Sequence, residues 1–211
     1  MKNQQQNIFC EKGIDISHWQ GEIDWEKVAA EEIKHVFIKM SEGGTYTDPK
    51  FVTNWNAAKT AGLKVNAYHY FRALSTLEEQ VANIKKNLLS VGFDLTMNCL
   101  AIDVESRGNE SASRDIMADH LQNLLTQLKC DFLYDFNPMI YCSPAYWDNS
   151  INWKKYDFSG YPLWIANWNV DEPRLPKSWE LSEKSWSCWQ YSSKGRINGI
   201  KGDVDLDWVK N

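Results

Sequence analysis

Two carboxylates separated by one residue, Asp103-Val104-Glu105, follow the apolar run Cys99-Leu-Ala-Ile102. In an extended strand, residues i and i+2 project from one face. This spacing sets both acids on one side and Val104 on the other, with α-carbons roughly 6–7 Å apart. Two carboxylates that close push one pKa upward, giving a proton donor beside an anion near neutral pH, which is what glycoside hydrolysis requires. Taken alone, a D-x-E spacing also suits a solvated strand end or a hard-cation site; the apolar residues before it argue against the solvated end.

Other polar residues fall at comparable places. Short β-rich runs are expected over Gly13–Ser17, Val36–Ser41, Lys64–Phe71, Leu100–Glu105, Met139–Ser143, Leu163–Trp168, Ser187–Ser192 and Val204–Leu206. Asp15 lies near the end of the first, Glu42 just after the second and His69 late in the third. Asp103 and Glu105 close the fourth, and Asp205 stands within the last. Charged groups in apolar strands are costly unless paired or wetted. If the strands run parallel in a closed barrel, their C-terminal ends share one rim, where barrel enzymes keep their active sites. Asp15 and His69 each also admit a plain structural role, as a loop cap and as a hydrogen-bonded core imidazole.

The elements between the strands fit that architecture. Ile23–Ile33 has apolar residues near helical spacing, and Asp48-Pro49 reads as cap and first-turn proline of a helix reaching Ala61, stopped by Gly62. Leu77–Val91 and Arg114–Leu128 are the clearest amphipathic helices. After Ser143 the strands are joined mainly by loops, with Pro144, Pro162, Pro173 and Pro176 as punctuation. Strand–helix alternation implies a parallel sheet with right-handed crossovers. The fold class expected is α/β, with eight strands in a barrel whose second half has reduced helices; a doubly wound open sheet is the alternative. The sequence divides into a polar N-terminal tail, 1–12, and one domain, 13–211.

Composition narrows the function. At 43% hydrophobic and 24% charged, the 211-residue chain can bury a sizeable core. No stretch approaches the roughly 18 apolar residues of a membrane span. A net charge of −5 argues against nucleic acid as partner. Residues 1–7 are polar, with no apolar core of a signal peptide, which leaves the export route open. Eleven Trp and nine Tyr exceed what a core alone needs, and flat rings with one polar edge suit sugar faces. The five cysteines are odd in number and widely spaced, indicating neither a zinc site nor a disulfide framework.

Read together, seven segments resemble the family 25 glycoside hydrolases, the Chalaropsis-type lysozymes. They are Gly13-Ile-Asp-Ile-Ser-His-Trp-Gln-Gly21, Phe37-Ile-Lys-Met-Ser-Glu-Gly43, Ala67-Tyr-His-Tyr-Phe71, Ala101-Ile-Asp-Val-Glu105, Leu163-Trp-Ile-Ala-Asn-Trp168, Trp189-Gln-Tyr-Ser192 and Gly202-Asp-Val-Asp-Leu-Asp207. They occur in the family's order across nearly the whole chain. Two departures are modest: Met40-Ser41 stands where an Ala-Thr pair before the glutamate is common, and Tyr70 where some members have Phe.

The resemblance implies a modified TIM-like barrel, (β/α)5(β)3, with N-acetylmuramidase activity on peptidoglycan outside the cytoplasm, no cofactor, no metal and a monomeric state. It puts the family's four acids at Asp15, Asp103, Glu105 and Asp205. Glu105 takes the proton-donor role, and Asp103 acts as nucleophile or supports attack by the substrate's own N-acetyl group. Substrate contacts are expected from Trp19, Glu42, Tyr68, His69, Tyr141, Trp164, Trp168 and Gln190, with Trp189 as a further sugar-stacking ring. A non-catalytic peptidoglycan-binding module on the same fold is the alternative, and a carboxylate-metal hydrolase a more distant one.

Overall fold

The computed structural model describes residues 10–132 and 136–211. Strand β1 (Cys10–Ile16) leads into a 3-10 turn (His18–Gln20), helix α1 (Trp25–Ala30) and strand β2 (Ile33–Glu42). A two-residue strand β3 (Tyr46–Thr47), helix α2 (Phe51–Thr60), strand β4 (Lys64–Tyr70), helix α3 (Leu77–Ser90) and strand β5 (Leu100–Asp103) follow. Then come α4 (Arg114–Phe132), β6 (Met139–Cys142), α5 (Pro144–Ser150), β7 (Leu163–Ala166), α6 (Lys177–Leu181), β8 (Cys188–Gly195) and β9 (Val204–Lys210).

Eight of these strands close a barrel in the order β1-β2-β4-β5-β6-β7-β8-β9, and β9 returns to β1. The pairs from β1 to β8 are parallel, whereas β9 runs antiparallel to both of its neighbours. This is the expected (β/α)5(β)3 barrel in a single domain. β3 pairs only with the end of β2.

Two expectations need correction. The tail expected over 1–12 lies outside the described residues over 1–9, while Cys10, Glu11 and Lys12 belong to β1, where they pair with Lys210, Val209 and Trp208. Asp48 does not cap α2. The helix starts at Phe51 with Lys50 before it and no side-chain cap; Asp48 Oδ2 instead accepts from the His18 backbone N–H at 3.1 Å and lies 2.8 Å from His18 Nδ1.

Residue parity divides the core. Ile14, Ile16, Val36, Ile38, Val65, Ala67, Ile102, Ile140, Ile165 and Trp189 face outward and pack against the helices. α3 and α4 give Val81, Ile84, Leu88, Leu121, Leu125 and Leu128 to this layer, at helical spacing. The alternate residues Phe37, Ala101, Met139, Tyr141, Trp164, Ala166, Cys188 and Val209 fill the barrel interior, as packed barrels require. Caps set the helix starts: Asp24 accepts from Lys27 N, Thr76 from Glu79 N, and Ser143 from Tyr146 N ahead of Pro144. No helix of the described residues is long and apolar enough to cross a membrane.

Candidate active site

The interior-facing parity ends, at the rim formed by the C-terminal ends of the parallel strands, in polar residues. A cleft of about 280 Å³ opens there, lined by Asp15 on β1 and Ser17 just after it, Lys39 on β2, Tyr68 and Tyr70 on β4, Asp103 at the end of β5 and Glu105 two residues beyond. Tyr141, Trp164, Trp168, Gln190, Ser193 and Asp205 complete the far side, and Trp19 and Gln20 its mouth. The four acids expected to converge therefore share one cleft. Asp205 reaches it for a reason other than the parallel-strand argument. Because β9 is antiparallel, its N-terminal end lies at the rim, where Asp205 sits directly opposite Asp15.

Burial dominates the electrostatics. Asp15 and Asp103 are each only 6% exposed. Burial, then the charges of Asp205 and Asp207, hold the Asp15 carboxyl well above the ordinary carboxylate range, with the Gln190 amide pulling the other way. Burial and then the Glu105 charge raise Asp103 as strongly, partly offset by Lys39. Burial also raises Glu105, opposed by Tyr141, Lys39 and Tyr70, so its raised proton affinity comes first from desolvation rather than from Asp103. Asp205 is pushed up to about 6, again mainly by burial. Asp103 Oδ1 is buried with no hydrogen-bond partner.

Gln190 ties the site together. Its Nε2 donates to Asp15 Oδ2 at 2.7 Å, and its Oε1 accepts from the Tyr141 hydroxyl at 3.0 Å and from Trp168 Nε1 at 2.9 Å. Trp164 is 1% exposed and forms the floor, its ring centroid 4.7 Å from that of Tyr141 and 4.4 Å from that of Phe37. Trp19 and Trp168, 76% and 45% exposed, offer ring faces at the mouth.

Three expected contacts lie elsewhere. His69 sits between the inward-facing Tyr68 and Tyr70, so it faces outward. It is fully buried, with Nδ1 2.8 Å from Ser41 Oγ and Nε2 3.2 Å from Gln80 Oε1 of α3, and burial lowers its pKa to about 4. Trp189 likewise faces the helix layer, donating to the Asn167 carbonyl at 2.8 Å. Glu42 lies outside the cleft lining and is held by Lys39 at 2.7 Å and by Arg72. Ser17, Gln20, Lys39, Tyr70 and Ser193 are polar cleft residues that the sequence reading missed. Lys39 Nζ lies 4.7 Å from the Tyr70 ring centroid, a cation–π distance. A signal was present for Lys39, a charged residue inside the apolar run Val36–Met40. Among the described residues, no group of three or more His, Cys, Asp or Glu side chains is arranged to hold a metal ion.

Known proteins share this construction. The chain is 27% identical over 197 residues to Lysozyme M1 of Streptomyces globisporus, covering 92% of this chain and 66% of that protein. It is 34% identical over 198 residues to the autolytic lysozyme of Clostridium acetobutylicum, covering 93% of this chain and 55% of that one. It therefore spans about two thirds or less of either relative's length. The crystal structure of the bacterial lysozyme from Streptomyces coelicolor superposes with a TM-score of 0.78 at 26% identity, covering 97% of this chain and 94% of that one. The profile of glycosyl hydrolases family 25 matches residues 14–200, and the chain belongs to that family.

Proposed function

We propose that the chain is a lysozyme that hydrolyses the β-1,4 bond from N-acetylmuramic acid to N-acetylglucosamine in peptidoglycan, outside the cytoplasm and with net retention. The observation that carries this reading is the convergence of Asp103 and Glu105 with Asp15 and Asp205 on one aromatic-walled cleft. The relatives' names, lysozymes in each case, support the substrate class.

The glycan lies across the cleft with sugar faces against Trp19 and Trp168. Glu105, its proton affinity raised by burial, protonates the leaving oxygen. Positive charge then develops at the sugar's anomeric carbon, where Asp103 and Asp205 in their ionised forms stabilise it. The unpartnered Asp103 Oδ1 needs a donor, and the N–H of the substrate's acetamido group supplies one. This favours Asp103 as the group that orients N-acetyl attack over Asp103 as the direct nucleophile. Water completes the reaction with Glu105 as base, restoring the original anomeric configuration.

Glu105→Gln keeps the shape and removes the proton. It should lower release of reducing ends from purified peptidoglycan by about 10²–10⁴-fold while leaving the chain folded. Near-normal turnover by this variant would refute the assignment, and saturable wall binding by the unaltered chain with no new reducing ends would instead identify a binding module.

A further inference from the structure

One buried acid has no place in that cycle. Asp207 stands two residues after Asp205 on β9, so it faces the barrel interior one layer beneath the cleft. It is opposite Gly13 of β1, just as Asp205 is opposite Asp15. Gly13 leaves the room for it, since a β-carbon there would lie 3.2 Å from Asp207 Cβ. Asp207 is wholly inaccessible to solvent. Oδ1 accepts from Trp164 Nε1 of β7 at 2.8 Å and lies 3.8 Å from Cys188 Sγ of β8. Oδ2 is buried and meets no donor.

We propose that Asp207 is a positioning residue of the active site, whose unpaired Oδ2 takes a hydrogen bond from a protonated Asp15 and so holds Asp15 neutral and oriented toward Gln190 and Asp205. Five titratable or polar groups surround Asp207: Asp15 on β1, Trp164 on β7, Cys188 and Gln190 on β8, whose amide N–H goes to Asp15, and Asp205 on its own strand. Among them only Asp15 and Asp205 are carboxyls, and the Trp164 indole and the Cys188 thiol are directed at Oδ1. A proton on Asp15 is therefore the donor best placed to satisfy Oδ2, and an unpaired buried oxygen of this kind is otherwise strongly disfavoured. The electrostatics agree in direction, since the Asp207 charge raises Asp15 and the Asp15 hydrogen bond lowers Asp207, as it also lowers Asp205. Asp207 thus acts through Asp15 and does not touch the glycan.

The inference rests on the lysozyme reading for its effect on turnover but not for its physical core, and the test separates the two. The indole N–H of Trp164, bonded to Asp207 Oδ1, reports the charge on Asp207 in proton–nitrogen correlation spectra of the ligand-free chain. In the unaltered protein this resonance should titrate near neutral pH. In Asp15→Ala, which removes the donor to Oδ2, the midpoint should rise by about a unit or more. In Asp15→Asn, whose amide N–H replaces that donor, it should stay near the unaltered value. In Asp207→Asn, which retains an oxygen for Trp164, the titration should vanish. A Trp164 midpoint unmoved by Asp15→Ala would overturn the proposal whether or not the chain is an enzyme. In activity, Asp207→Asn should move the alkaline limb of kcat/KM to lower pH by about one unit, because Asp15 then ionises more readily, with KM little changed. A uniform loss of rate with an unmoved pH profile would reduce Asp207 to a purely structural residue.

Discussion

The side-chain amide of Gln190 donates to Asp15 Oδ2 across 2.7 Å, joining residues 175 positions apart. β1 and β8 are not neighbours in the barrel; β9 lies between them. The bond therefore crosses the rim above β9, and it links the acidic cluster to Tyr141 and to the ring of Trp168 at the cleft mouth. A carboxyl, an amide, a phenol and an indole form one connected unit.

Breaking that unit at its centre should affect fold and turnover together. Gln190→Ala strands three buried or half-buried partners, which costs about 1–3 kcal/mol, read as a lowered midpoint in urea. With Asp15 and Trp168 no longer fixed, kcat/KM should fall roughly 10- to 100-fold. Unchanged turnover in a destabilised protein would detach Gln190 from the chemistry.

His69 should behave in the opposite way. His69→Ala removes a fully buried ring and leaves the Ser41 hydroxyl without its partner, while Gln80 Oε1 keeps the Arg72 N–H, so a loss of about 2–4 kcal/mol is expected with KM intact. The pH sign follows from its lowered value of about 4. A histidine neutral in the fold contributes stability above its unfolded pKa of about 6.5. That contribution is lost as pH falls from there toward 4. Denaturant unfolding of the unaltered chain at pH 7 and pH 4.5 measures it, with His69→Gln as the control that lacks the titration.

The buried acids work against alkaline conditions. Asp205 and Asp207 are raised to about 6 and about 7. A carboxyl so raised favours the fold below its unfolded pKa, and the advantage fades as pH rises through the folded value. Stability should accordingly decline between about pH 4 and 7. Asp207→Asn, which cannot ionise, should recover on the order of a few kcal/mol at pH 8 and little at pH 4. A melting temperature equally altered at both pH values would contradict this.

The exposed rings at the mouth carry binding rather than chemistry. Trp19→Ala and Trp168→Ala should each weaken glycan binding by about 1 kcal/mol, a several-fold rise in KM, with kcat less affected. Because Trp168 also bonds Gln190, its variant should show the larger kcat change.

Much of this was legible from residue order. The D-x-E pair, the strand–helix alternation and the acids near strand ends lead to the barrel and to four carboxylates in one cleft. What failed was parity and direction. Nothing local in Ala67-Tyr-His-Tyr-Phe71 tells which of Tyr68 and His69 faces inward; the alternation is identical for either choice, and only pairing with β2 and β5 fixes it. Trp189 and Gln190 pose the same choice, and the polar neighbour is the one turned inward. The reversal of β9 was equally invisible, because a short strand reads alike in either direction. Asp207 was read only as part of a motif, since its partners, Gly13, Trp164 and Cys188, lie on three other strands.

The central claim is that the cleft cuts glycan at muramic acid, and mass analysis of fragments released from purified, reduced peptidoglycan tests it most directly. The account predicts new reducing ends that carry N-acetylmuramic acid, and none with Glu105→Gln. Glucosamine at those ends, or no fragments from the unaltered chain, would contradict it.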